Sequence, residues 1–170
     1  MKNNTKPWLI SIVGPTAVGK TEMAIGLSRW LKTEIVSADS RQFYREMNIG
    51  TAKPSAEELE MVPHHFINSH TIHQQYSAGE YGRDATRKID ELNQQKTTVI
   101  AVGGSGLYLK AIWEGFDEMP EIDLKIREEL NKEYSEFGLE FLLPELLQKD
   151  PEYYEQVDQQ NHQRIIRALE

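Results

Sequence analysis

The stretch WLISIVGPTAVGKTEM, residues 8 to 23, decides the fold class of this chain of 170 residues. The apolar run WLISIV stops at Gly14, which is typical of a strand buried in a parallel sheet. From Thr21 onward, apolar side chains return at the spacing of a helix. A strand, a glycine-containing loop and a helix in this order predict an α/β fold that begins with a phosphate-binding turn.

The loop GPTAVGKT, residues 14 to 21, fits the pattern G-x-x-x-x-G-K-[ST]. Gly14 and Gly19 let backbone N–H groups turn toward phosphate oxygens, and the following helix presents its positive end to them. We expect Lys20 to neutralise a phosphate oxygen and the Thr21 hydroxyl to ligate Mg²⁺. The predicted diphosphate- or nucleotide-binding loop also includes Pro15, Thr16, Ala17 and Val18. The pattern leaves open which phosphate compound binds.

Two more strands are predicted at residues 34 to 38 (EIVSA) and 98 to 102 (TVIAV). Between them, Ser77 and Glu80 have the spacing of a capping box at the start of an amphipathic helix. Strands that alternate with helices predict a parallel sheet flanked by helices, the architecture of P-loop NTPase-like proteins.

Strand patterns stop after Phe116, and residues 120 to 138 have the pattern of an acidic amphipathic helix. Ile122, Ile126 and Leu130 are predicted to face inward on this helix. Pro144 is expected to break or kink whichever helix contains it.

Three regions are therefore predicted. Residues 1 to 115 form the α/β core, and residues 116 to 160 form a small helical insertion lobe. Asn161 is predicted to cap a helix that starts at residues 161 to 170 and returns to the core. This helix lacks a C-terminal signal, so we expect a truncated chain.

The net charge of -8 is distributed unevenly along the chain. Residues 1 to 50 carry 7 Lys and Arg against 4 Asp and Glu, residues 51 to 110 carry 6 against 7, and residues 111 to 170 carry 6 against 16. The acidity is confined to the last third, so a nucleic-acid surface on the first part stays open. The chain has no cysteine and no stretch of the ~20 apolar residues that a membrane span needs. We expect a soluble, cytoplasmic, monomeric protein without a membrane partner.

Asp39 follows the second predicted strand, and two interpretations of it are open. In the first, it caps a helix, because Gln42 lies at the spacing of a capping box. In the second, it lies at the same sheet edge as the phosphate loop, where a carboxylate can hold Mg²⁺ or accept a proton from a nucleophile. The amide of Gln42 could then read the edge of an adenine base.

The stretch AVGGSGLYLKAI, residues 101 to 112, predicts a third strand end followed by a helix. If this strand end faces the same cleft, the Ser105 hydroxyl lies near the substrate. The strand does not end in the Asp that an ATPase with a Walker B carboxylate uses. This difference counts against nucleotide hydrolysis.

His64 and His65 follow Pro63 and raise the question of a metal site. Adjacent side chains do not converge easily on one ion, and no carboxylate is suitably spaced. We therefore predict a structural role for both histidines.

Six segments in order carry a resemblance to one family: GPTAVGKT, DSRQFYREMNIGTAKP, VPHH, YSAGEYGRDA, VGGSGLYLKA and QRIIRALE. Over nearly its whole length the chain resembles the tRNA dimethylallyltransferases, also called tRNA isopentenyltransferases or IPP transferases. The resemblance implies transfer of a dimethylallyl group from dimethylallyl diphosphate to N6 of the adenosine 3′ of the anticodon in tRNA. It implies tRNA and dimethylallyl diphosphate as partners and Mg²⁺ as cofactor.

The resemblance also implies catalytic roles. Lys20 and Thr21, with Mg²⁺, would stabilise the departing diphosphate, and Asp39 would take the N6 proton. Ser105 stands where the family usually has Thr, and Pro144 is a departure within the lobe. The resemblance implies tRNA contacts for Asp39, Ser40, Arg41, Gln42, Ser105, Arg127, Gln163, Arg164, Ile165, Ile166 and Arg167. Family members continue well past residue 170, so we expect weak tRNA affinity and little turnover from this chain alone.

Two alternatives stay open. A small-molecule or nucleotide kinase would use the same loop for ATP and would be expected to carry an Arg-rich lid. Residues 111 to 170 are acidic instead. A non-catalytic nucleotide-binding module would need no base, and Asp39→Ala would leave its properties unchanged.

Overall fold

The computed structural model of the chain describes residues 6 to 116 and 123 to 170. The chain contains two compact units, Met1–Asp117 and Glu118–Glu170. In the described parts of the chain, no helix is both long enough and apolar enough to cross a membrane.

The first unit is built around a parallel sheet. Its strands are β1 (Trp8–Val13), β2 (Ile35–Ser37), β3 (His64–His65) and β4 (Thr98–Gly103), in the order β1-β4-β2-β3. Its helices are α1 (Lys20–Leu31), α2 (Ala56–Met61), α3 (Ala78–Asn93) and α4 (Gly106–Trp113). The predicted parallel sheet with flanking helices is confirmed.

The register of the sheet brings three strand ends together. Val13 at the end of β1 pairs with Gly103, and Ser37 at the end of β2 pairs with Val102. Because parallel strands share one direction, the loops that follow β1, β2 and β4 leave from the same edge.

Apolar side chains cover both faces of this sheet. On one face, the core residues are Ala24, Ile25, Ile35, Val62, Ile100 and Val102, with α1 against the strands. On the other face, the core residues are Val36, Ala38, Phe43, Tyr76, Tyr81, Ala85, Ile89, Val99 and Leu109. The predicted capping box is confirmed, since Ser77 accepts from the backbone N–H of Glu80 and Glu80 accepts from that of Ser77. The sheet is therefore held from both sides.

Two elements of the first unit were not predicted from the sequence. The strand β3 has two residues and pairs with β2 through Ile35 and His64. The helix α2 begins at a second capping box, in which Ser55 and Glu58 exchange hydrogen bonds. Both elements are too short to produce a periodic apolar pattern. The S-x-x-E spacing of Ser55 and Glu58 was nevertheless a readable signal for the start of α2.

The second unit consists of helices in the residues that the structure describes. They are α5 (Leu124–Phe137), α6 (Leu139–Lys149), α7 (Pro151–Gln156) and α8 (His162–Leu169). Their buried residues are Leu130, Leu142, Leu146, Val157, Ile165, Ile166 and Leu169. The predicted cap is confirmed, because Asn161 accepts from the backbone N–H of Arg164. The buried face of α8 packs on α5 and α6 within this unit.

Two expectations for the second unit need correction. Ile126 does not face inward but is 40% exposed, because it lies in the first turn of α5 and outside the apolar cluster that Leu130 enters. Ile122 lies outside the described residues. Of the two outcomes expected at Pro144, the break is wrong, because α6 continues through this residue, and the kink stays a prediction. A proline there removes only the bond to the carbonyl of Glu140, and both residues are exposed, so water can replace that bond.

Candidate active site

The phosphate loop turns tightly between β1 and α1. Gly14 and Gly19 have φ angles of 155° and 84°, in the left-handed region that glycine adopts readily. Ala17, with φ of 65°, is a non-glycine residue in the same region. No side chain caps the start of α1. The first N–H groups of this helix are therefore left for an anion.

Lys20 lies across the loop and donates from Nζ to the carbonyl oxygen of Pro15 at 2.5 Å. The glycine turn after β4 lies against the same place. A β-carbon on Gly104 would be 3.2 Å from the carbonyl oxygen of Gly14 and 4.0 Å from Lys20 Nζ. Two strand ends thus meet around the lysine, as the sequence predicts.

Asp39 lies in a turn after β2. Its Oδ1 accepts from the backbone N–H of Arg41 at 3.0 Å. Residues 40 to 43 form a turn and not a helix, so the interpretation of Asp39 as a helix cap is wrong. The short chain between Asp39 and Tyr44 instead folds back on itself.

A cavity of about 220 Å³ joins the loop to Asp39. Lys20, Thr21 and Asp39 all contribute to its wall. The other lining residues are Thr16, Ala17, Gly19, Glu22, Ser37, Gln42, Ala52, Pro54, Glu58, His64, Ile67, Val102 and Gly103. A cation, a hydroxyl and a carboxylate therefore face one space, next to the uncapped start of α1.

Ser40 and Ser105 connect two strand ends. The Ser40 backbone N–H donates to Ser105 Oγ at 3.0 Å, and the two hydroxyls are 3.3 Å apart. A second cavity beside them is also lined by Asp39, Arg41 and Thr51. The structure thus brings the phosphate loop, residues 39 to 41 and Ser105 together around these two cavities.

Gln42 uses both ends of its amide within the protein. Its Nε2 donates to the carbonyl oxygens of Thr51 and Ala52 at 3.1 and 3.0 Å, and its Oε1 accepts from Ser37 Oγ at 3.1 Å. In this arrangement Gln42 holds the segment around Ala52 against β2. Base recognition by Gln42 stays a prediction, and it would require these bonds to exchange.

Lys53 orders the same segment. Its Nζ donates to the Tyr44 carbonyl oxygen at 2.5 Å and to the Oδ1 atoms of Asn48 and Asn68 at 3.1 and 2.8 Å. All three N–H bonds of the ammonium group are used. Burial lowers the pKa of Lys53, while Glu46 opposes this shift. The Lys53 ammonium group thus holds together a loop that has no regular secondary structure.

His64 is a cavity residue that sequence reasoning missed. Its Nδ1 donates to the Val62 carbonyl oxygen at 2.8 Å, whereas its buried Nε2 has no hydrogen-bond partner. Burial lowers the pKa of His64, which favours the neutral ring. Glu58, which also lines the cavity, was missed too. The VPHH segment drew attention to the histidines, but only the fold reveals which of the two faces the cavity.

His65 points elsewhere, since consecutive strand residues project to opposite faces. Its Nε2 lies 2.7 Å from Glu34 Oε2. Within residues 6 to 116 and 123 to 170, no cluster of three or more His, Cys, Asp or Glu side chains could hold a metal ion. The geometry supports the predicted structural role of His65.

The remaining predicted contact residues lie in the second unit. Gln163, Arg164 and Arg167 are exposed on α8. Ile165 and Ile166 are 0% and 5% exposed and belong to the apolar core. These two side chains cannot contact an RNA in this arrangement, because α8 turns them toward α5 and α6.

Arg127 on α5 forms an ion pair within the same unit. Its Nε and Nη2 both donate to the Glu170 carboxylate. Arg167 donates from Nη1 to Glu170 Oε2 at 2.7 Å. The bond from Arg127 lowers the pKa of Glu170 against the effect of burial. Two predicted RNA-contacting arginines therefore share one carboxylate.

Comparison with known proteins places these features in a family. The family model described as IPP transferase matches residues 42–170. A tRNA dimethylallyltransferase of Flavobacterium johnsoniae is 50% identical over 169 residues, which is 96% of this chain and 55% of the relative. One from Christiangramia forsetii is 49% identical over 163 residues, 96% of this chain and 54% of the relative. The chain spans about half the length of the curated relatives it matches.

Two solved structures match the fold. The full-length tRNA isopentenylpyrophosphate transferase of Bacillus halodurans is 38% identical, with a TM-score of 0.64, over 97% of this chain and 55% of that chain. A eukaryotic dimethylallyltransferase acting on tRNA matches with a TM-score of 0.78 at 22% identity, over 95% of this chain and 40% of that chain, and shows the fold alone. The predicted P-loop NTPase-like α/β fold is confirmed. Because the family model matches most of its residues, the chain belongs to the IPP transferase family.

Proposed function

We propose that this chain carries the diphosphate-binding loop and the catalytic base of a tRNA dimethylallyltransferase. The observation that carries the proposal is that Lys20, Thr21 and Asp39 line one cavity. The names of the curated relatives support the same reaction. The proposed donor is dimethylallyl diphosphate, and the proposed acceptor is N6 of the adenosine 3′ of the anticodon in tRNA.

The phosphate loop would hold the diphosphate and not ATP. Its glycines and the uncapped start of α1 offer N–H groups to the phosphate oxygens. Lys20 has three N–H bonds, so it can keep Pro15 as a partner and still donate to the diphosphate. These groups would stabilise the negative charge that grows on the leaving group.

Asp39 would act as the base. In the proposed step, N6 forms a bond to C1 of the dimethylallyl group while the bond from C1 to the diphosphate oxygen breaks. The electron pair of that bond leaves with the diphosphate, and N6 gives one proton to the Asp39 carboxylate. An adenine amino group is a weak nucleophile, so this proton transfer lowers the barrier. The adenosine must leave its stack to reach the carboxylate.

Mg²⁺ is the proposed cofactor, and the hydroxyl oxygen of Thr21, which lines the same cavity, would be one of its ligands. Mg²⁺ typically uses one or two protein ligands together with substrate phosphates and water. When bound, the ion would neutralise charge on the diphosphate.

The proposed tRNA contacts form two groups, one in each unit of the chain. Asp39, Ser40, Arg41 and Ser105 lie around the two cavities of the first unit and would meet the target nucleotide. Arg127, Gln163, Arg164 and Arg167 would contact the tRNA backbone, since guanidinium and amide groups bind phosphates.

An enzyme with this substrate works where tRNA is used, so we propose a cytoplasmic location. The monomeric state stays a prediction that gel filtration tests.

The test offers undermodified tRNA with labelled dimethylallyl diphosphate in one reaction and γ-labelled ATP in another. It uses this chain and a version extended to the length of its relatives. Entry of the prenyl label into tRNA supports the proposal, and the difference between the two proteins measures the contribution of the added half. Label moving only from ATP would instead favour a kinase, and Asp39 would need another role. Absence of both transfers, with nucleotide binding retained, would favour a non-catalytic module.

A further inference from the structure

Arg127, Glu170 and Arg167 form a compact charged cluster in the second unit. The Glu170 side chain is 1% exposed, whereas those of Arg127 and Arg167 are 41% and 42% exposed. The carboxylate is thus enclosed while the two guanidinium groups reach the surface. Two guanidinium groups thus share one enclosed carboxylate.

The cluster gathers arginines in an otherwise acidic region. Residues 111 to 170 contain 6 Lys and Arg and 16 Asp and Glu. Arg164 lies one helical turn from Arg167 on α8, so neighbouring positions carry like charges. Half of the basic residues in this stretch therefore belong to the cluster or flank it.

The carboxylate determines where the two guanidinium groups lie. Arg127 makes a two-pronged bond to it through Nε and Nη2, a planar geometry that lysine cannot reproduce. Arg167 reaches the same carboxylate from α8. Without a shared anion, two neighbouring guanidinium groups repel each other and separate.

We propose that Glu170 is a positioning residue, which holds Arg127 and Arg167 together as one binding pair for a phosphate of the tRNA backbone. This inference rests on the proposed function, because it takes tRNA as the partner. The two side chains are already ordered when the protein folds. Binding of a phosphate therefore does not carry the entropy cost of ordering them. Glu170 itself does not touch the RNA.

The direction in which Glu170→Gln changes the affinity for tRNA distinguishes this positioning role from simple masking of the positive charges. Glu170→Gln removes a negative charge near the RNA. If Glu170 only masked the arginines, this variant would bind tRNA more tightly and with a steeper salt dependence. If Glu170 positions them, the variant binds more weakly despite its added positive charge, because one phosphate contact is lost.

The experiment measures the anisotropy of a fluorescein-labelled tRNA transcript bound to a version of this chain extended to the length of its relatives, between about 50 and 200 mM salt. The variants are Glu170→Gln, Arg127→Gln and the double variant. The matched control is Glu145→Gln, which removes the surface partner of Lys149, 2.6 Å away on α6. Thermal unfolding of each protein is followed by circular dichroism.

For Glu170→Gln we expect binding about threefold to tenfold weaker, with the slope of log K against log salt reduced by about one. In the Arg127→Gln background the same change has a smaller further effect on binding, since only Arg167 is left for Glu170 to hold. The control keeps the wild-type slope. If Glu170→Gln does not fold, Arg127→Lys replaces it. That variant keeps the charge but loses the two-pronged bond, and the same loss of slope is expected.

Tighter binding by Glu170→Gln would overturn the proposal. So would an unchanged slope combined with a lower unfolding temperature, which is the result for a residue that only fastens α8 to α5. Additive effects in the double variant would overturn it as well. Failure of the extended wild-type protein to bind tRNA would overturn the tRNA partner too. Wild-type binding that Glu170→Gln leaves unchanged would overturn only the role of Glu170.

Discussion

Gly103 at the end of β4 touches the backbone of Ala38 so closely that no side chain fits between them. A β-carbon on Gly103 would lie 2.1 Å from the Ala38 carbonyl oxygen. The Ala38 N–H donates to the Val102 carbonyl oxygen at 2.7 Å, which fixes the two segments against each other. Asp39 is the next residue, so this contact determines where the proposed base lies.

Gly103→Ala should therefore displace the chain that carries Asp39. The contact involves backbone and cannot be relieved by a side-chain rotation, so we expect a loss of about 1–3 kcal/mol in the free energy of unfolding. The rate of prenyl transfer by the extended protein should decrease together with this stability. Urea unfolding and an activity assay measure the two effects. Gly26→Ala is the matched control, because Gly26 lies inside α1 with nothing within 4 Å of the added carbon. It should be neutral or stabilising by up to about 1 kcal/mol. Equal effects of the two changes would contradict the role of the close contact.

Ser105 is expected to hold the turn after β2. Ser105→Ala leaves the Ser40 backbone N–H without its acceptor, which costs about 1–3 kcal/mol where water cannot replace it. We expect a higher KM for tRNA and little change in diphosphate binding, since the Ser105 hydroxyl bonds Ser40 and not the phosphate loop. Ser105→Thr keeps the hydroxyl and should behave like the wild type. Equal defects in the Ala and Thr variants would show that the hydroxyl is not the important group.

His64 should make stability depend on pH. Its pKa is lowered in the folded chain by burial, against a bond to Val62 and the charge of Glu58, while the charge of His65 lowers it further. The unfolded chain therefore binds a proton that the folded chain does not. The free energy of unfolding should fall as the pH drops below about 6.5, the ordinary value for histidine, until the folded pKa is reached.

His64→Asn tests this pH dependence, because the Asn amide N–H can replace Nδ1–H toward Val62 without titrating. Unfolding is measured in urea at several pH values between about 5 and 7.5. The variant should lose less stability at low pH than the wild type does. His73→Asn, at an exposed position, should keep the wild-type profile. A wild-type profile in His64→Asn would assign the dependence to other groups.

The parts of the fold that sequence predicts are those with local causes. The loop from Gly14 to Thr21 and the capping box at Ser77 are determined by residues a few positions apart, so they are readable. The bonds of Gln42 are different. Its partners Thr51 and Ala52 belong to a loop without secondary structure, and only the folded chain brings them to β2.

The site was predicted only in part for the same reason. Asp39 and the phosphate loop follow from the rule that parallel strands end at one edge. His64 and Glu58 reach the cavity from β3 and α2, two elements too short for a pattern. Ile126 was misjudged because the neighbours of a helix, and not its own periodicity, decide which positions are covered.

The separation of diphosphate binding from proton removal is tested most directly by Asp39→Ala and Lys20→Ala side by side. The measurement combines calorimetric binding of dimethylallyl diphosphate in the presence of Mg²⁺ with single-turnover prenyl transfer to tRNA by the extended protein. Asp39→Ala should bind the diphosphate about as tightly as the wild type and transfer at least about 100-fold more slowly, the lower limit for loss of a general base. Lys20→Ala should lose most of the binding. Transfer at the wild-type rate by Asp39→Ala would contradict the assignment of the base.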